Sequence, residues 1–414
     1  MFPGISASWR ISQEKFLKDS HIFDELKLRG SFGQTGNQEG IRLYDYIQLL
    51  QVRGDRYPFG NGSQTQSIYM DVLAGVDRSW EILNNTNVGI DMEFFKKRLG
   101  VSFDYFWKMN DNMLIPVTYP SMLGAAAPDS NSGKLRTKGF ELTLKWADKI
   151  NNFSYSAMFQ LSDAVNKLVN YGGADTYSLG LNTVREGYPL NSYFAYVYDG
   201  VIHNQEELDA YKKLEGVPAN IGIGDAKFRD VNHDGKISTY GEGDDGDAIF
   251  VGSTAPRFTF GLNLNAQYKN FDLGVFFQGV GKRTLFREGE FSMPWSDWWR
   301  YPAQFYYGIT WNEDRPDAYY PRLTHGEIRS WNYQASTLQK INAAYVRLKN
   351  LQIGYSLPKS LLQKINIERL RVYLSGQDLF EIHGVKGGWD PESDKGGFNY
   401  PFQRYYSIGI DLTF

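Results

Sequence analysis

The 414-residue chain contains no cysteine. A disulfide-stapled secreted scaffold is thereby excluded, whereas a periplasmic or outer-membrane address remains open. Long apolar runs are missing too, and no stretch approaches the ~18 residues that a transmembrane helix needs. Charge of one sign is not in excess: net charge is −3 and pI is near 6.0, which speaks against a nucleic-acid partner. Histidine is scarce. His21, His203, His233, His325 and His383 are the full set, and none sits in a metalloprotease helix motif. No Gly-x-Ser-x-Gly elbow occurs, and Gly222-Ile223-Gly224 lacks the third glycine of a nucleotide-binding loop. No catalytic constellation is visible, so an enzyme is not expected. The opening MFPGISASWRISQEKF also lacks the basic start, apolar centre and small-residue cleavage site of a secretory signal.

Aromatic residues, in contrast, are abundant: 28 Tyr, 27 Phe and 10 Trp make up 16% of the chain. Outer-membrane barrels collect such residues in girdles at both interfaces. Residues 256–279, PRFTFGLNLNAQYKNFDLGVFFQG, show a second regularity. Phe258, Phe260, Leu262, Leu264, Ala266 and Tyr268 alternate with Thr259, Gly261, Asn263, Asn265 and Gln267. After a turn at Lys269-Asn270 the alternation resumes with Phe271, Leu273, Val275 and Phe277. Side chains switch faces at every residue of a strand, so each half is a two-faced strand of about ten residues. That length crosses an outer membrane when tilted, whereas soluble strands usually run about five or six residues.

The same alternation recurs at 84–97 and 99–113, at 136–147 and 152–165, at 341–357 and 369–382, and in the terminal RYYSIGIDLTF, with weaker candidates at 3–11 and 26–35. In 341–357 the apolar phase slips near Lys349-Asn350, which predicts a bulge or a change of face. Connections sort into two classes. Those at Arg98, 147–151, 269–270 and 358–368 are short, and those near 36–83, 114–135, 166–256, 287–340 and 383–402 are long. Their strict alternation matches short periplasmic turns and long external loops. GYPLNSYFAYVYDGV (187–201) looks strand-like, but a crossing there would reverse the sidedness, so it is placed inside an external loop. Eleven crossings remain, the first running inward. An odd count, together with the missing secretory signal, implies part of a larger barrel. Its two unpaired edges would leave an open, curved sheet or require the missing half.

Six stretches, in order along the chain, resemble SusC-type TonB-dependent outer-membrane transporters. They are LKLRGSFGQTGNQ (26–38), WEILNNTNVGIDMEFFKKRLGVSFDYFWK (80–108), GYPLNSYFAYVYDGV, KFRDVNHDGKIS (227–238), AAYVRLKNLQIGYSLPKSLL (343–362) and LRVYLSGQDLF (370–380). The resemblance implies an all-β, antiparallel transmembrane β-barrel of the 22-stranded type with a plugged lumen. About eleven of those strands lie here, as the C-terminal half, with the plug and the TonB-contacting segment elsewhere. It further implies import of oligosaccharides, with peptides the main competitor, across the outer membrane of a Gram-negative bacterium, Bacteroidota by its closest type. A SusD-like lipoprotein lid, the TonB complex and the barrel-assembly machinery are the implied partners, beside the outer-membrane lipid.

Three groups of site residues follow. In DVNHDGKIS, Asp230, Asn232 and Asp234 stand at every second position, with Gly235 sixth, which is the spacing of a calcium loop. The Lys236 carbonyl would be a further ligand; position twelve is Gly241 rather than a carboxylate, and Glu242 follows it. A structural Ca²⁺ that stiffens the loop is one expectation, and a surface turn held by the same side chains is the other. Trp295, Trp298, Trp299, Tyr306 and Tyr307, in the aromatic loop 287–340, are candidate platforms for sugar rings, or else a self-packed loop or lid contact. Tyr406, Ile408, Ile410, Leu412 and Phe414 resemble the family's barrel-assembly signal, and they also suit an ordinary lipid-facing last strand.

Two other architectures compete. A self-contained smaller pore or adhesin barrel predicts that 187–201 crosses the membrane and that the first and last strands pair. A secreted carbohydrate-binding β-sandwich predicts Phe258, Phe260 and Leu262 buried against a second sheet.

Overall fold

The computed structural model of the chain describes all residues other than 19–21, 42, 54–57, 60–62, 65, 76, 118–121, 123, 127, 173–178, 181–183, 240–245, 288–291, 295–303, 363–366, 387–389 and 394–401. Eleven strands form one sheet. Numbered along the chain, they are β1 (Gly4–Arg10), β2 (Glu25–Asn37), β3 (Glu81–Phe94), β4 (Leu99–Ile115), β5 (Ser130–Ile150) and β6 (Phe153–Tyr171), followed by β7 (Arg257–Tyr268), β8 (Phe271–Lys282), β9 (Tyr345–Ser356), β10 (Arg369–His383) and β11 (Tyr405–Thr413). Each pairs antiparallel with its neighbours in chain order, so the sheet is a continuous meander. β1 and β11 stand at its two ends and do not meet; the barrel wall is open.

All eleven expected strands are present in the expected order, and 187–201 lies outside the sheet. It holds two short strands, Ser192–Ala195 and Tyr198–Val201, which pair with Ile249–Ser253 and Ala226–Phe228. The smaller-barrel alternative fails on both of its requirements. Because neighbours are antiparallel, connections 38–80, 116–129, 172–256, 283–344 and 384–404 all emerge at one end, and 11–24, 95–98, 151–152, 269–270 and 357–368 at the other. The strands run further toward that end than the alternation showed: β5 and β6 have 21 and 19 residues.

Local irregularities have local causes. The β9 register shifts against β10 between Leu348 and Asn350, and against β8 between Phe276 and Phe277, which places the bulge at Lys349. The β3–β4 connection differs from expectation. β3 ends at Phe94, and Phe95, Lys96 and Lys97 turn the chain with φ of 58°, 60° and 63°.

Gly279 on β8 allows a close approach. A β-carbon there would run into the Phe260 ring and lie 2.5 Å from the Tyr345 carbonyl oxygen. Gly279→Ala is therefore expected to cost about 1–3 kcal/mol through overpacking. A lower urea midpoint for unfolding in detergent checks it; an unchanged midpoint would contradict the packing.

The buried apolar clusters lie mainly in the long connections, not on the sheet. Ile202, Leu208, Tyr211, Ile221 and Ile328 form one, and Tyr196, Ala226, Phe228 and Ile237 another. Segment 184–239 thus folds into a small cap, joined by α2 (Gly326–Asn332) from the next long connection and containing α1 (Gln205–Tyr211). Asn204 caps α1 through its side chain, which accepts from the Glu207 amide.

Candidate functional site

The register sorts the side chains of the sheet into rows. Met92, Val101, Leu144, Phe159, Leu262 and Phe277 are successive partners from β3 to β8. Trp146, Ala157, Leu264, Val275 and Leu351 make the next apolar row. On the opposite face, Ser102, Thr143, Gln160, Gly261, Gln278 and Arg347 are partners, as are Ser156, Asn265, Gly274, Gln352, Ser375 and Ser407. Toward the short turns the apolar face ends in an aromatic row, Phe153, Tyr268, Phe271 and Tyr355, the arrangement of a membrane-interface girdle.

No second sheet packs on the apolar rows among the described residues. Val88, Ile353 and Leu374 are 51%, 47% and 55% exposed. Phe258 is exposed, and Phe260 and Leu262 are only partly buried, so the sandwich alternative fails. An apolar surface of this extent is stable only against another apolar medium. Among the described residues no helix is long and apolar enough to cross a membrane.

The polar face carries ionic ladders. Arg29 on β2 donates to Asp91 of β3 at 2.9 Å and to Asp104 of β4 at 2.7 and 2.6 Å, while the Ser102 hydroxyl donates to Asp91 at 2.8 Å. Arg371 on β10 reaches Asp272 of β8 at 2.6 Å and Asp411 of β11 at 2.9 Å. Such pairs fit a water-filled interior and would be costly in hydrocarbon.

Above the sheet, the cap is built on a buried charge. Asp225 is fully buried and accepts from Arg322 Nε at 2.7 Å, Arg322 Nη2 at 2.8 Å, Asn332 Nδ2 at 2.9 Å and the Gly222 amide at 2.7 Å. The Asp225 carboxylate holds the Arg322 guanidinium above its ordinary pKa. Asn332 in turn accepts from the Ala226 amide, which ties α2 to the cap. Near the same end, buried Arg347 on β9 pairs with Asp390 and Glu392, and Lys349 reaches Glu392 at 2.7 Å. The 384–404 connection is thereby pinned to the polar face. Neither cluster stands out in the sequence, since its acids lie 97 residues from Arg322 and 43–45 residues from Arg347 along the chain. The phase slip at Lys349-Asn350 was the nearest clue to the second.

The acidic turn closes on itself. Asp230 accepts from the Gly235 amide at 2.9 Å, Asn232 from the Asp234 amide at 3.2 Å, and Asp234 from the Lys236 amide at 2.8 Å. Asp230 Oδ1 is buried without a hydrogen-bond partner. Among the described residues no group of three or more His, Cys, Asp or Glu is gathered for a metal, and Glu242 lies outside them. The described residues of this group form an Asx-rich turn, and no role for Ca²⁺ is derived. Of the aromatic candidates, Trp295, Trp298 and Trp299 lie outside the described residues. Tyr306 packs inward against Tyr320, Tyr333 and Leu338, whereas neighbouring Tyr307 is exposed. Tyr406, Ile408, Ile410, Leu412 and Phe414 line one face of the edge strand β11 and its end, all exposed.

A family model described as "TonB dependent receptor-like, beta-barrel" matches residues 2–379. TonB-dependent receptor P3 of Formosa agariphila is 28% identical over 450 residues, covering 100% of the chain and 42% of the relative. TonB-dependent receptor SusC of Bacteroides thetaiotaomicron is 25% identical over 440 residues, covering 100% and 40%. The solved RagAB peptide transporter superposes with a TM-score of 0.78 at 25% identity, covering 100% of the chain and 43% of its counterpart. The chain thus spans less than half the length of the relatives it matches.

Proposed function

The chain belongs to the TonB-dependent receptor-like β-barrel family, and on that premise we propose that it forms part of the wall of an outer-membrane importer of oligosaccharides or peptides. The observation that carries this reading is the pair of faces: unbroken apolar rows without a protein partner, backed by polar rows with ionic ladders. Hydrocarbon suits the first face and a wide aqueous lumen suits the second.

The long connections, gathered at one end, would capture the solute on the outside under a SusD-like lipoprotein lid. Energy would come from the TonB complex, acting through parts of the protein beyond these 414 residues. The relatives from Formosa and Bacteroides support a Bacteroidota outer membrane as the address. The likeness to a peptide transporter keeps peptides beside oligosaccharides as cargo. β11 would be the strand read by the barrel-assembly machinery, through Tyr406, Ile408, Ile410, Leu412 and Phe414. Deletion of the gene should abolish growth of the host on at least one oligosaccharide or peptide supplied as sole carbon source, with restoration from a plasmid. Unchanged growth across a broad panel of both would contradict the proposal.

A further inference from the structure

Two of the long connections border an open cleft of about 840 Å³. Arg287, the 308–320 segment and Lys340 come from the β8–β9 connection, and Gly384 and Lys386 from the β10–β11 connection. Four basic side chains line it: Arg287, Arg315, Lys340 and Lys386. Among the described residues the lining adds two acids, Asp314 and Asp317, so basic side chains are in excess there. Arg287 is held by donating to the Tyr320 hydroxyl, with its guanidinium 5.7 Å from the ring centroid. Arg315 donates to the Thr310 carbonyl. Arg315, Lys340 and Lys386 form no ion pair among the described residues. Arg315, Lys340 and Lys386 are exposed to solvent, and an anion entering between them gains Coulomb energy from the excess of basic side chains among the described lining residues. Ile309, Leu338 and Ile341 add an apolar floor, while Tyr319 and Tyr320 add ring faces.

We propose that this cleft binds a carboxylate-bearing section of the imported solute, with Arg315, Lys340 and Lys386 as its charge partners. The proposal rests on the importer reading and narrows it from oligosaccharides or peptides in general to acidic ones. An acidic oligosaccharide and an acidic peptide present the same group, and the experiment separates them.

The intact protein, purified from outer membranes in detergent, is titrated calorimetrically with trigalacturonate, triglutamate, maltotriose and triglycine at low and high salt. At least one carboxylated probe should bind at low salt and weaken at high salt, and its neutral counterpart should bind at least about tenfold more weakly. The better carboxylated probe names the source. The double variant Lys340→Gln/Lys386→Gln should lose about tenfold in affinity for it. Heat-modifiable migration in gels shows whether that variant still folds; the single variants Lys340→Gln and Lys386→Gln, each with a smaller loss, serve if it does not. Equal binding of charged and neutral probes, binding of none, or unchanged affinity in folded variants would overturn the proposal. Those results leave the importer reading standing, because growth of the deletion strain judges it separately.

Discussion

Leu262→Arg is expected to destabilise the barrel by about 2–4 kcal/mol, the cost of a basic side chain near the bilayer midplane on a lipid-facing strand position. Leu262 lies in the central apolar row between Phe159 and Phe277, away from the aromatic row at the short turns. An arginine there has no acid to pair with, because its row partners on both neighbouring strands are phenylalanines. The control is one residue away. Asn263 points to the other face, between Met158 and Phe276 in a row that also holds Lys145, and Asn263→Arg should cost about 1 kcal/mol or less because water reaches it. The folded fraction after reconstitution into vesicles, read from heat-modifiable migration in gels, should fall for Leu262→Arg and hold for Asn263→Arg. Equal effects would mean that the two faces meet the same medium.

Asp225→Ala should unfold the cap while leaving the wall intact. Asp225 accepts four hydrogen bonds in a fully buried position. Its loss leaves the Arg322 guanidinium and the Asn332 amide without their shared acceptor. Breaking a buried charge pair from one side costs about 3–5 kcal/mol, and Arg322, still partly in contact with solvent, places the loss near the lower figure. A cap with a few small apolar clusters has little reserve against that loss. Limited proteolysis should open 184–239 in the variant, with heat-modifiability of the barrel unchanged. Protection equal to that of the parent would show that the pair contributes little.

Legibility in the sequence follows the solvent. Where a strand separates lipid from water, each successive residue reports its medium, so β3, β4, β7, β8 and β11 are readable as alternation, and the bulge at Lys349 as its interruption. Where the strands continue past the membrane, both faces are wet and the signal fades. Ser130, Asn131 and Lys134 of β5 pair with β4 or β6 without any apolar stripe, so alternation marks β5 only from 136 although the strand begins at 130. The β3–β4 turn begins ahead of Arg98 for a different reason: Phe95 continues the aromatic pair begun at Phe94 but sits at positive φ. The long-loop end was the least readable. Asp225 meets Arg322, and Arg347 meets Asp390 and Glu392, only because separate connections fold together. Spacing along the chain holds no trace of such meetings. The spacing of Asp230, Asn232 and Asp234 is visible in the sequence, and one oxygen of each side chain accepts from a neighbouring amide.

These 414 residues contain no cysteine, which suits the central claim to a residue-by-residue test. Single cysteines at 259 through 266 on β7, each carrying a spin label, are placed in the intact protein in lipid bilayers. Collision with dissolved oxygen reports hydrocarbon, and collision with a water-soluble nickel chelate reports the aqueous lumen. Labels at Phe260, Leu262, Leu264 and Ala266 should favour oxygen, those at Thr259, Gly261, Asn263 and Asn265 should favour nickel, and the preference should reverse at every step. A stripe at Phe260, Leu262 and Leu264 shielded from both reagents would place those side chains in a dry protein interior and contradict the account.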